Sequence, residues 1–311
     1  MLRHALSLAA MSVLVACGGP SRPGQGPEPP ATSPAPQSAA SAAPKTPSAP
    51  DNRCGALDCR TFDSPLAAFD AVLAEKPIVL GVGEAHALAG TEGIPSTTRR
   101  FTEAFLPKLA GNTSDLIVEL MLPSAGCEQK KQEVAKRQEV VTKPQAESNQ
   151  SEYVTLGHSA RKHGIAPDIL RPSCDDLTRI TEAGPGDINV MLETIARLTK
   201  SKVEQLISLN EKDHKQAMVV TYGGALHNDV SPREGRETWS YGPALSERTH
   251  GRYVELDLIV PEFIKDTDSW RALSWYSHYD RDKLGDKTVL FKVAAHSYVL
   301  VFPLTKGAAS E

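Results

Sequence analysis

The chain has 311 residues, of which 23% are charged and 40% hydrophobic, and a net charge of −4 at pH 7. A balance this near neutral excludes nucleic-acid or anionic-lipid binding driven by bulk charge. The length suits one large domain with a substantial core, preceded by shorter segments of different composition.

The first segment has Arg3 as a positive n-region and residues 5–16 as a short apolar h-region. That run is too short for a transmembrane helix. It ends in Leu14-Val15-Ala16-Cys17, which resembles the lipobox of bacterial lipoproteins. The resemblance implies that residues 1–16 are a signal peptide. It also implies that Cys17 becomes the acylated first residue and that acyl chains hold the protein on a membrane of the bacterial cell envelope. Gly18 rather than an aspartate follows the cysteine, which points to the outer membrane. Loss of Arg3 leaves 33 basic and 38 acidic residues, a net charge of −5.

Residues 17–50 then form the lipidated cysteine and a linker. Ten of the 23 prolines fall in residues 18–50, with Ser, Ala and Gly between them and no apolar periodicity. Such a stretch cannot bury a core, so it reads as a tether, roughly 100 Å long as polyproline II. The globular domain occupies residues 51–311. Outside the cytoplasm disulfides persist, and four cysteines remain: Cys54, Cys59, Cys127 and Cys174. Three pairings satisfy that count. Cys54 with Cys59, as a staple at the domain entrance, and Cys127 with Cys174, joining two loops that each follow a strand, is the favoured set. The absence of C-x-x-C argues against a zinc site.

Within the domain, residues 65–75 read as an amphipathic helix with Ser64 as N-cap. Ile78, Val79, Leu80 and Val82 form a strand buried on both faces that stops at Gly83. Glu84 and His86 then enter the crevice beyond the strand ends, the usual ligand site of open α/β sheets. Residues 96–110 read as a helix with Phe101, Phe105 and Leu109 on its buried stripe. Arg99 and Arg100 in its first turns oppose the helix dipole, which a nearby carboxylate or an anionic ligand would relieve. Residues 115–122 read as a second strand whose Glu119 lies in an apolar run. A carboxylate there needs a partner such as Arg99 or Arg100, or a polar pocket.

Residues 127–143 read as an exposed charged helix or flap, 143–151 as a loop and 153–163 as a helix with His158 and His163 on its surface. Residues 166–172 read as a third strand. The following Asp175 and Asp176 either cap the next turn, the favoured reading, or reach the crevice. A long helix over 187–214 precedes a strand over 216–222, which ends in Gly223, Gly224 and then His227. A loop over 231–249 would cover the pocket, with Trp239 and Tyr241 as contacts or packing. A strand over 252–260, a helix over 263–276 and two strands over 288–302, joined near Ala295-His296-Ser297, complete the chain. His250, His278 and His296 read as structural.

Two strands thus lead into glycine and present a histidine as the last member of G-x-x-H, Gly83 to His86 and Gly224 to His227. With the acid of G-E-A-H and with Glu119, these motifs resemble the Tiki/TraB superfamily, which includes ChaN-like haem-binding lipoproteins and erythromycin-esterase-like hydrolases. The resemblance spans about residues 62–303. It implies that His86 and His227 face each other across one pocket with Glu84 and Glu119 beside them and Arg99 or Arg100 as a further member. The esterases space acid and histidine as G-E-x-x-H, whereas Ala85 alone separates them here.

The expected fold is therefore α/β, a mixed, largely parallel sheet with helices on both faces. The expected function is hydrolysis of a small-molecule or peptide ligand, either by histidine-assisted chemistry or through a Mn, Co or Zn ion held by His86, His227 and Glu84. The alternative is a lipoprotein that binds haem or metal without turnover.

Overall fold

A computed structural model describes residues 54, 57–184 and 187–306; the signal peptide, Cys17 and the linker lie outside the described residues. In chain order the strands are β1 (Cys59–Phe62), β2 (Val79–Glu84), β3 (Thr113–Met121), β4 (Ala166–Leu170), β5 (Met218–Gly224), β6 (Tyr253–Ile259), β7 (Thr288–Ala294) and β8 (Ser297–Val301). The helices are α1 (Pro65–Leu73), α2 (Thr97–Arg100), α3 (Leu106–Leu109), α4 (Glu128–Thr142), α5 (Ser148–Lys162), α6 (Cys174–Glu182), α7 (Asn189–Lys212), α8 (Gly242–Arg248), α9 (Asp268–Arg271) and α10 (Arg281–Leu284).

All eight strands join one sheet in the order β1-β7-β8-β6-β2-β5-β3-β4. The pairs from β8 through β6, β2, β5 and β3 to β4 are parallel, while β1–β7 and β7–β8 are antiparallel. This is the mixed, largely parallel α/β sheet expected. The core follows the strand alternation. Leu80, Val82, Leu116, Val118, Val220 and Tyr222 face one way, onto α1, α5 and the helical segment after β2. Val79, Ile117, Val219 and Tyr253 face the other way, onto α6, α7 and α8. The connection leaving β2 crosses the first face toward β3, and the one leaving β5 crosses the second face back to β6. A crevice opens where such connections diverge, here between β2 and β5.

Several local expectations are corrected. The first strand does not stop at Gly83: β2 includes Glu84. The helix expected over 96–110 is capped by Ser96, whose side chain accepts from the Arg99 N–H, but Phe101–Phe105 is a π-helical turn. Pro107 has no N–H to give the carbonyl four residues back, so the ladder widens just ahead of it. The loop expected over 143–151 is shorter, since α5 begins at Ser148. The loop over 231–249 contains a 3-10 turn, Glu237–Trp239, and α8. No continuous helix spans 263–276; the segment holds only α9 between the 3-10 turns Pro261–Phe263 and Tyr276–His278.

Ser173 and Asp176 form a capping box on α6, so the second of the paired aspartates caps a helix. Both favoured disulfides are present, Cys54–Cys59 and Cys127–Cys174. The second closes a loop of 47 residues, a constraint worth about 4 kcal/mol in the chain-entropy model. It ties α4 to α6 beyond the ends of β3 and β4.

Candidate functional site

Four side chains gather at the carboxyl edge of the sheet, and β5 explains how. It lies between β2, which carries Glu84, and β3, which carries Glu119. Its last two residues have no side chains. A Cβ on Gly223 would overlap the Glu119 carboxylate and lie 2.8 Å from its Cβ, so the glycine is what lets that side chain cross the strand tip. A Cβ on Gly224 would lie 3.5 Å from His86 Nε2, 3.7 Å from Glu119 Oε2 and 3.9 Å from His227 Cδ2. His86, Glu119 and His227 therefore converge around one point in front of Gly224.

Glu84 holds His86 from the buried side. Its side chain is 1% exposed and accepts from His86 Nδ1 at 2.8 Å. It also accepts from the hydroxyls of Tyr153 at 2.8 Å, Thr98 at 2.7 Å and Tyr222 at 2.6 Å. Burial pushes the Glu84 carboxyl up, but the hydrogen bonds from His86, Tyr222 and Thr98 and the imidazole charge outweigh it, holding the pKa below its ordinary 4.5. Burial likewise pulls His86 down, while the bond to Glu84 and the charges of Glu84 and Glu119 hold its pKa above 6.5. An ionised Glu84 is an acceptor only, so Nδ1 of His86 donates and Nε2 carries the lone pair of the neutral ring. Burial drives both tyrosine hydroxyls well above 10, with the Glu84 charge adding to it, so they stay protonated as donors.

His227 is oriented by backbone. Its Nδ1 donates to the Trp239 carbonyl at 2.8 Å, and its Nε2 lies 3.6 Å from Glu119 Oε1. The other Glu119 oxygen accepts from the Gly224 N–H at 2.7 Å. Ser240 Oγ donates to the carbonyls of His227 and Asp229, closing the loop behind the ring. Asn228 anchors that loop to two strands through Nδ2, to Gly81 O at 3.2 Å and Asp257 Oδ1 at 2.9 Å. Burial raises the Asp257 pKa to about 7. A cavity of ≈ 10 Å³ beneath Glu119, His227, Gly223 and Tyr241 is the size of one water molecule.

Arg99 and Arg100 do not join this group. Arg99 is exposed and pairs with Glu103 one turn on, at 2.9 Å. Arg100 donates to Pro95 O and Thr305 Oγ1 and lies over the Phe302 ring. The dipole penalty is met by these local partners rather than by an anion in the site. Tyr153, Tyr222, Thr98 and Asn228 were not singled out in the sequence. Only Tyr222, whose hydroxyl falls on the strand that ends in Gly223-Gly224, carried a signal that could have found it.

A transition metal would be held by His86, His227 and Glu84 and would supply an activated water. The donor set does not fit this: both Glu84 oxygens are engaged by four protein donors, and no three His, Cys, Asp or Glu side chains are placed to share an ion among the described residues.

No protein-family model matches the chain, and no curated protein matches it. Two solved structures are similar to it at low identity. The type III effector HopBA1 has a TM-score of 0.41 and 11% identity over 81% of this chain and 99% of its own. An erythromycin esterase mutant, EreC in its open conformation, has a TM-score of 0.41 and 10% identity over 80% of this chain and 98% of its own.

Proposed function

We propose that the chain is a hydrolase whose general base is His86. The observation that carries this reading is the 2.8 Å bond from His86 Nδ1 to a buried, four-fold hydrogen-bonded Glu84. It leaves Nε2 as the one basic atom of that ring turned toward Gly224, Glu119 and His227. A water in front of Gly224 gives its proton to His86 Nε2 and attacks an ester or amide carbonyl. The proton gained by the ring is stabilised by Glu84, which stays ionised. The same proton then passes from His86 Nε2 to the leaving group as the carbonyl re-forms, while His227, held at Nδ1 by the Trp239 carbonyl, orients the attacking water through Nε2. No arginine or lysine is among the hydrogen-bonding or ion-pairing partners of these four side chains among the described residues. The site therefore suits a neutral or cationic substrate better than an anionic one.

The test is turnover of a panel of chromogenic esters and amides after dialysis against a chelator. Wild type and His278→Ala should hydrolyse a member of the panel, and His86→Ala and His227→Ala should each lose on the order of 10²–10⁴-fold. Equal rates for all four proteins, or activity that returns only with added metal, would contradict the reading.

The lipid anchor at Cys17 belongs to the same proposal and rests on the lipobox. No helix among the described residues is long and apolar enough to cross a membrane. Cys17→Ser should move the protein from the membrane fraction to the soluble one; retention on membranes would refute the anchor.

A further inference from the structure

The segment that orients His227 also borders a second recess, of ≈ 340 Å³, between α6, α7, the 237–239 turn and α8. Arg179, Glu193, Arg197, Lys200, Thr238 and Ser240 are among its polar lining residues. The volume lies within the ordinary range of small-molecule sites, about 300–1,000 Å³. Three cations face one acid there, and that acid is engaged: Glu193 Oε1 accepts from Thr238 Oγ1 at 3.0 Å.

The cations are only partly neutralised. Arg197 Nη2 donates to Asp176 Oδ1 at 2.5 Å, and Asp176 is itself held by the Ser173 cap of α6. That pair fixes the guanidinium at the α6–α7 junction and leaves its remaining N–H groups for another acceptor. Lys200 Nζ is a loose 3.9 Å from Glu204. Among the described residues Arg179 has no ion-pair or side-chain hydrogen-bond partner. Two guanidinium groups and an ammonium form a donor-rich surface of the kind that takes a phosphate or carboxylate.

We propose that this recess binds an oxyanion, a phosphate or carboxylate group carried by a free small molecule or by a lipid headgroup. The ligand would touch the turn whose Trp239 carbonyl holds His227 Nδ1 and whose Ser240 hydroxyl holds the His227 carbonyl. The recess is independent of the hydrolytic reading, because its lining includes none of Glu84, His86, Glu119 or His227.

The experiment uses detergent-solubilised full-length protein titrated with inorganic phosphate by calorimetry. In parallel, the protein is distributed between phosphatidylcholine vesicles and vesicles enriched in phosphatidylglycerol, where any N-terminal anchor contributes equally to wild type and variant. Saturable phosphate binding that weakens at least about tenfold in Arg179→Ala/Lys200→Ala identifies a free anion as ligand. A preference for phosphatidylglycerol that the double variant loses, without phosphate binding, identifies a headgroup. Arg179 is exposed, so Arg179→Ala should fold as judged by circular dichroism, and Arg197→Gln provides a second variant that keeps a donor to Asp176. Absence of both signals in wild type, or binding unchanged in all variants, overturns the proposal.

Discussion

His86 Nδ1 lies 2.8 Å from Glu84 Oε1 although the two residues are separated in sequence by Ala85 alone. Glu84 ends β2 with its side chain in the core, and His86 is the second residue beyond the strand, so the chain leaves the sheet and folds its imidazole back over its own acid. The acid is fixed by three further donors from three different elements: Thr98 on α2, Tyr153 on α5 and Tyr222 on β5. A carboxylate with four donors keeps its charge without solvent, and the histidine attached to it keeps one tautomer.

Glu84→Gln tests that attachment. The amide has one acceptor oxygen where four donors converge, so at least one buried donor loses its partner, at a cost of about 1–3 kcal/mol. Turnover should fall on the order of 10²-fold or more, because the ring loses both its orientation and its counter-charge. Denaturant unfolding with steady-state kinetics checks both effects. Wild-type stability together with wild-type rate would mean that Glu84 does not hold His86.

The two glycines at the tip of β5 should behave differently. A methyl at Gly224 meets ordinary contact distances, the nearest being 3.5 Å to His86 Nε2. Gly224→Ala should therefore fold with near-normal stability while the methyl fills the position where substrate and water meet, and turnover should be lost. Gly223→Ala drives its Cβ into Glu119, so it should lower the melting temperature as well as the rate. Thermal denaturation and ester turnover of both variants separate these outcomes. An active Gly224→Ala would place the reaction elsewhere.

Much of this site was legible because strand and turn chemistry are local. The apolar run into Gly83 marked β2, and the second run into Gly223-Gly224 marked β5, so the two histidines could be paired before any geometry was known. Glu119 stood out as an acid within an apolar strand. The donors around Glu84 were hidden for a physical reason: Thr98 reads as an ordinary first-turn residue and Tyr153 as a core aromatic on α5, and only the packing of α2 and α5 on one sheet face brings their hydroxyls to one carboxylate. Arg99 and Arg100 were drawn toward the site by a dipole penalty that Glu103 and the Phe302 ring relieve locally. The helix expected over 263–276 failed because its apolar residues follow bends between short turns, among them Trp275 and Phe263 in the core. Apolar spacing alone does not distinguish such a segment from a continuous helix.

The signs of the two pKa shifts fix how pH should act. Glu84 is lowered, so its contribution to stability is present above 4.5 and is lost as pH falls through its folded value. His86 is raised, so its contribution is complete below 6.5 and is lost as pH rises through its folded value. Catalysis runs the other way for His86, since only the neutral ring accepts a proton: turnover should climb as pH passes a value above 6.5.

The measurement closest to the central claim is a nitrogen-15 NMR titration of the His86 ring, assigned by His86→Gln and compared with the pH dependence of kcat/KM on the best panel substrate. The account predicts a neutral ring protonated at Nδ1, a pKa above 6.5, and a rate limb that rises at that same pKa. A ring protonated at Nε2, a pKa below 6.5, or a rate profile that ignores the His86 titration would contradict it.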